Sequence, residues 1–216
     1  MPYGEQATAG ARPCYADDDP VHVHPGNADI ICFTRGTAIL TPRGERRIET
    51  LQPGDQVLTV DRGPQVIRWI GRKTVRATGG LAPVRFTKGT LGNHRDLLVS
   101  PQHRVLCVGD LPRRLFNQSE VLAPARDLVD DFSVTIAYGG MVTYVHMLFD
   151  RHEVVIANGA PSESFFPGQN ELGTLTEPSR EELFAIFPQL RSDAGRYGPA
   201  SRVCLTSQDA RALATA

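Results

Sequence analysis

"RIETLQPGDQVLTVDRGPQVIRWIGRKTVRA", residues 47–77, decides the fold class. Two turn signals punctuate it, Pro53-Gly54-Asp55 and Asp61-Arg62-Gly63-Pro64. Proline presets φ for a turn, glycine supplies positive φ, and aspartate bonds its own backbone. Between the signals, "QVLTV" is rich in β-branched residues and alternates as a half-buried strand does. "QVIRWIG" and "KTVRA" follow in the same manner. Long stretches of helical periodicity are few.

The pattern continues outward. "PVRFT", "DLLVS", "HRVLCV", "EVLAPA", "SVTIA", "VTYVHMLF" and "EVVIANG" are short apolar runs separated by Gly and Pro turns. Many short strands with turn punctuation predict an all-β domain. Asn158-Gly159 reads as a hairpin turn.

The flanks differ. Residues 1–31 are poor in large apolar residues and carry the acidic run Asp17-Asp18-Asp19, which reads as a flexible leader with room for one short strand. Residues 32–166 hold the strands. In 167–216, "EPSREELFAIFPQL" places Pro178 near a helix start, acidic residues in the first turn and Leu183, Phe184, Ile186 and Phe187 at helical spacing. "SQDARALATA" reads as a second short helix capped by Ser207. This zone is expected to be a helical tail packed on the domain or on a partner.

Composition excludes several classes. A net charge of −1 argues against wholesale binding to nucleic acid or an anionic membrane. No apolar run approaches the roughly 18 residues that span a bilayer, and the N-terminus lacks the basic start and apolar core of an ordinary signal peptide. The four cysteines, Cys14, Cys32, Cys107 and Cys204, form no CxxC pair, which points away from a zinc ribbon and toward free thiols in a reducing compartment. "DDDPVHVH" puts His22 and His24 beside three aspartates, yet two histidines without further ligands make a weak metal site, and a solvated acidic segment is the better reading. No cofactor or metal is expected.

Chemistry concentrates around Cys32 in "IICFTRGTAIL", residues 30–40. A cysteine there could be a core thiol, a metal ligand, half of a disulfide or a nucleophile. A nucleophile needs a base or acid in space, commonly His, and donors for the attacked carbonyl. "LLVSPQHRVL" sets Ser100 three residues before His103 across a Pro turn, which is expected to expose both side chains on one rim. "YVHMLFDRHEVVIANG" supplies His146 on a strand and His152 at the turn into the next one. His94, in "LGNHRD", reads as a loop residue, and Cys107 as a core residue on a strand face.

Four stretches in this order resemble the Hint superfamily of inteins, Hedgehog autoprocessing domains and bacterial intein-like domains. "CFTRGTAILTPRG" is similar to its opening block, with a nucleophilic Cys first. "IETLQPGDQVLTVD" is similar to the next signature. "SPQHRVL" resembles the block written T-x-x-H, with Ser100 for the Thr, and "FDRHEVVIANG" resembles the closing block. The resemblance covers roughly residues 30–166 and is closest to a bacterial Hint-type subgroup. It implies an all-β Hint horseshoe and chemistry on the chain itself. The thiol of Cys32 would attack the carbonyl of Ile31, moving the acyl group from nitrogen to sulfur. His103 would protonate the departing amine, and Ser100 or backbone N–H groups beside it would stabilise the oxyanion. His152 joins this candidate set, with His146 and Asp150 as weaker candidates. Water or an external nucleophile would then release residues 1–31.

The family's closing His-Asn pair would fall on Glu163 and Ser164, and neither cyclises as Asn does, so cleavage without splicing is expected. Two alternatives stand beside this: a thiol hydrolase or transferase acting in trans with the same Cys and His, and an inactive Hint fold used as a binding or structural module. The oligomeric state has no signal in the sequence.

Overall fold

The computed structural model describes residues 31–215, except the side chain of Gln169. The readings made for the leader, including its short strand, the acidic His-x-His segment and Cys14, lie outside the described residues.

In chain order the strands are β1 (Phe33–Thr34), β2 (Ala38–Thr41), β3 (Gly44–Arg47), β4 (Gln56–Thr59), β5 (Gly63–Val66), β6 (Trp69–Arg76), β7 (Val84–Phe86), β8 (Leu97–Val99) and β9 (Arg104–Val108). Helix α1 (Asp110–Phe116) intervenes before β10 (Glu120–Pro124), β11 (Val134–Ile136), β12 (Met141–Leu148), β13 (Val154–Ala157) and β14 (Ala160–Glu163). The tail carries α2 (Gln169–Thr174), α3 (Glu177–Ile186), β15 (Val203–Cys204) and α4 (Ser207–Ala214).

Turn chemistry builds the decisive stretch as read. β4 and β5 form a hairpin with Thr59 opposite Gly63, and Gly63 has φ 63°, the left-handed residue that a three-residue hairpin loop requires. The two runs after it are divided differently from the expectation. β6 runs unbroken from Trp69 to Arg76 through Gly71, so this glycine does not end a strand. It is there for space: a Cβ at Gly71 would lie 2.2 Å from the Trp69 ring. Asn158 (φ 50°) and Gly159 (φ 90°) make the two-residue turn between β13 and β14. Asn158 also ties that turn down, its Oδ1 accepting from Ala38 N at 2.8 Å and its Nδ2 donating to Asp96 O at 2.8 Å.

Six strands form one sheet, ordered β11-β7-β8-β1-β12-β6. The other sheet has nine; its main path is β15-β10-β9-β14-β13-β2-β3, with β4 joining β13 and β5 joining β4. The main core uses Phe33, Val99, Val145 and Met147 from the first sheet and Val105, Val121 and Val155 from the second.

The tail packs on the domain itself. α3 begins as expected, with Pro178 in its first turn and Thr176 as N-cap. The cap of α4 is Thr206 rather than Ser207: Thr206 Oγ1 accepts from Asp209 N at 3.2 Å, while Ser207 Oγ accepts from Arg126. The tail is also not purely helical, since β15 adds in parallel to β10. Leu172, Leu175, Leu183, Phe187, Leu190 and Tyr197 close over Ile31, Trp69, Leu148, Phe165 and Phe166 in a second apolar cluster. Each such side chain contributes about 1.5–3 kcal/mol on full burial. Among the described residues no helix is long and apolar enough to cross a membrane.

Candidate active site at the Ile31–Cys32 peptide

β1 lies between β8 and β12, and this position assembles the site. Phe33 pairs with Val145 on one side and Val99 on the other. One residue earlier, the same antiparallel register sets Cys32 against His146 of β12 and beside Ser100 at the end of β8. His146 in turn pairs with Gly71 of β6.

Side chains hold both polar atoms of the 31–32 peptide. Cys32 N donates to Ser100 Oγ at 2.9 Å, and Ser100 N returns a bond to Cys32 O at 3.0 Å. Ile31 O lies 3.0 Å from His146 Nδ1. A carbonyl only accepts, so Nδ1 carries the imidazole proton and Nε2 is left bare. Cys32 Sγ is 3.1 Å from Nδ1 and 3.2 Å from Nε2. A sulfur nearly equidistant from both nitrogens lies along the in-plane lone pair of neither. An aligned S–H to Nε2 bond requires the thiol or the ring to move from this resting contact.

The site is dry. Cys32 is 1% exposed, His146 3% and His103 1%. Burial pushes the Cys32 thiol well above its usual value, opposed only weakly by the charge of Lys73. Burial likewise pulls His146 down to about 4, against its hydrogen bond to Ile31 O and with help from Lys73 and His103. His103 is also lowered to about 4 by burial, with Glu163 opposing and Arg104 and His152 assisting. At neutral pH the site thus holds a thiol and two uncharged imidazoles.

The remaining candidates fall at graded distances. Ser100 and His103 close a tight turn, His103 N donating to Ser100 O at 3.1 Å. Contrary to expectation both side chains are buried, because the Ala125–Leu128 turn covers this one: Ala125 N and Arg126 N donate to His103 O and Pro101 O. His103 Nε2 meets Ser162 Oγ at 2.8 Å, its ring packs 4.5 Å from Phe33, and its Nδ1 has no hydrogen-bond partner among the described residues. His152 lies apart, stacked 4.5 Å from Phe166, with Nε2 3.3 Å from Glu163 Oε2 and Nδ1 accepting from Ser201 N. Asp150 is at the surface, 3.4 Å from Arg68.

Two neighbours of the thiol carry weak signals or none in the sequence. His146 shares a strand face with Tyr144, and Tyr144 clusters with Cys32. The alternation in "VTYVHMLF" was the signal for that face. Lys73, which bears on the thiol electrostatically and donates to Thr174 O at 3.1 Å, left no signal.

At the closing position, Glu163 is fully buried. Its Oε1 accepts from Arg104 N at 2.6 Å, and Arg104, His152 and His103 together outweigh burial and hold its carboxyl below the usual range. Ser164 Oγ accepts from Glu153 N at 3.0 Å. Cys32 and Cys107 are free thiols, and burial raises Cys107 to about 12. Cys107 is half-buried against the main core, whereas Cys204 is disulfide-bonded, against the expectation of free thiols.

The family profile of the Hint domain matches residues 31–169. The chain belongs to the Hint domain family. Its fold is accordingly the all-β Hint type with a short, mainly helical C-terminal tail. No curated protein matches it. Among solved structures it is similar to the gp41-1 intein, at 12% identity and TM-score 0.39 over 61% of this chain and 96% of that one. A bacterial intein-like domain from Clostridium thermocellum matches at 16% and 0.41, over 63% and 99%. An AceL NrdHF class 3 split intein matches at 16% and 0.43, over 61% and 95%. Membership of this family makes the chain an autoprocessing-type domain in general terms.

Proposed function

We propose that this Hint domain cleaves its own chain at Ile31–Cys32 by an N-to-S acyl shift and does not splice. One observation carries the reading: a single imidazole, His146, touches both the Cys32 thiol and the carbonyl oxygen of the peptide that the thiol would attack.

His146 Nε2 takes the thiol proton as sulfur attacks the Ile31 carbonyl carbon. The Nδ1–H, already on the carbonyl oxygen, holds the charge that develops there. Collapse breaks the C–N bond and expels the Cys32 nitrogen, which gains one proton. The proton that His146 took from the thiol is the one returned to that nitrogen, which Ser100 Oγ contacts, so sulfur loses one proton, nitrogen gains one and His146 ends neutral. His103, the acid candidate from the sequence, anchors the same turn. The thioester then passes its acyl group to water or another nucleophile, and residues 1–31 leave.

The closing segment supports cleavage alone. Glu163 and Ser164 stand where a cyclising Asn is needed, and both are tied into the fold. A thiol enzyme acting in trans would need Cys32 open to substrate, whereas this thiol is enclosed and protonated.

The test is intact mass of the purified full chain over time. A fragment beginning at Cys32 should accumulate, faster with hydroxylamine, and be absent in Cys32→Ala. A chain that stays whole under all these conditions would overturn self-processing.

A further inference from the structure

Paired residues in an antiparallel sheet share a face, and so do residues two apart along one strand. Cys32 stands against His146, His146 pairs with Gly71, and Lys73 lies two residues beyond Gly71 on β6. The thiol, the imidazole and the Lys73 side chain therefore rise from one face of the six-stranded sheet. Lys73 and His146 also border the same small cavity, whose lining includes Thr174 and Leu175 of the tail. The ammonium is tied down on that face. Its Nζ donates to the backbone carbonyl of Thr174, the last residue of α2, at 3.1 Å. Among the described residues no carboxylate lies within ion-pair range of it. A carbonyl partner fixes the charge without cancelling it, as a carboxylate would.

We propose that Lys73, held by the tail through Thr174 O, supplies a fixed positive charge whose field stabilises the negative charge developing on the Cys32 sulfur and the Ile31 carbonyl oxygen during the acyl shift. The proposal rests on the self-processing reading above and makes the tail part of the processing machinery. Lys73 touches none of the reacting atoms and acts through space. β1 and β6 are two strand spacings apart, about 10 Å. At that range, with an effective dielectric constant of about 20, one unit charge alters the rate of forming an opposite charge by about tenfold. The direction agrees with the resting site. Burial dominates both groups, but Lys73 draws the Cys32 thiol down and helps keep His146 uncharged, while it has no part in the lowering of His103.

Two measurements on the full chain test it. The first is a charge series, Lys73→Arg, Lys73→Met and Lys73→Glu, each variant first shown to be folded by its melting temperature. Formation of the Cys32 fragment, by intact mass, should stay within about threefold of the parent in Lys73→Arg, fall about tenfold in Lys73→Met and about a hundredfold in Lys73→Glu. Arg76→Met and Arg76→Glu, at an exposed position on the opposite face of the same strand, should change the rate less than about twofold. A residue that only pinned the tail would make Lys73→Met and Lys73→Glu alike. Equal rates in those two, or Lys73→Met at the parental rate, overturn the proposal. The second measurement needs no cleavage. In a Cys32→Ala background, NMR follows His146 and His103 as the pH is lowered. The early part of each titration, taken while the domain is folded, suffices. Lys73→Met should make His146 protonate at higher pH and leave His103 where it was; an unmoved His146 overturns the proposal. A His146 that moves in a chain whose Cys32 form never yields the fragment would defeat the self-processing reading and leave the field of Lys73 standing.

Discussion

Lowering the pH to 5 should destabilise this domain before most of its carboxylates titrate. His103 and His146 are enclosed by apolar neighbours, and each is held near 4 against an ordinary value of 6.5. A histidine depressed in the fold binds fewer protons folded than unfolded. Its contribution is therefore fully present above 6.5 and is lost as pH falls through the interval down to about 4. At pH 5 each imidazole would cost about 2 kcal/mol relative to pH 7.5, and the pair about 4 kcal/mol. Most unfolded carboxylates are still ionised at pH 5, so the loss belongs chiefly to the two histidines. Urea unfolding in a Cys32→Ala background, where the chain stays whole, reads it directly. With a urea slope of about 2 kcal/mol/M the midpoint should fall by roughly 2 M between pH 7.5 and pH 5. His146→Gln, which does not titrate, should halve that fall. A midpoint unchanged within a few tenths molar would show that both imidazoles protonate freely in the fold, and the neutral, dry site argued above would be wrong.

His146→Gln keeps a donor for Ile31 O but has no base for the thiol, so fragment formation should slow about a hundredfold or more; an unchanged rate, by intact mass, would remove His146 from the chemistry. Gly71→Ala places a methyl 2.2 Å from the Trp69 ring, so the indole must move. Overpacking of this kind costs about 1–3 kcal/mol, and because Trp69 is the only tryptophan its fluorescence should shift with the melting temperature. Asn158→Ala removes both turn-anchoring bonds and places alanine at φ 50°. It should lower stability by about 1–3 kcal/mol with the cleavage rate at moderate temperature intact, and a selective loss of cleavage would give Asn158 a chemical part.

Much of the fold was legible in the sequence because its signals are short-range. Pro53-Gly54-Asp55, the loop ending at Gly63, and Asn158-Gly159 each constrain only a few neighbouring dihedrals, and the runs between them alternate visibly. Helix α1 and strand β14 were harder to read. α1 is 7 residues with Pro112 inside it, and β14 contains Pro161 in a stretch of 4. Strong breakers in such short segments masked both.

The site divides in the same way. The sequence by itself determined that Cys32 begins the strand region and that Ser100 and His103 share one turn. Only the tertiary structure decided which imidazole meets the thiol. Cys32 and His146 are 114 residues apart and Cys32 and Ser100 68, and both contacts follow from β1 settling between β8 and β12. That register depends on burying Phe33 against Val99 and Val145, a long-range packing choice that no local pattern records. The protonation states belong to the structure for the same reason, since they follow from how completely water is excluded once the tail closes over Ile31.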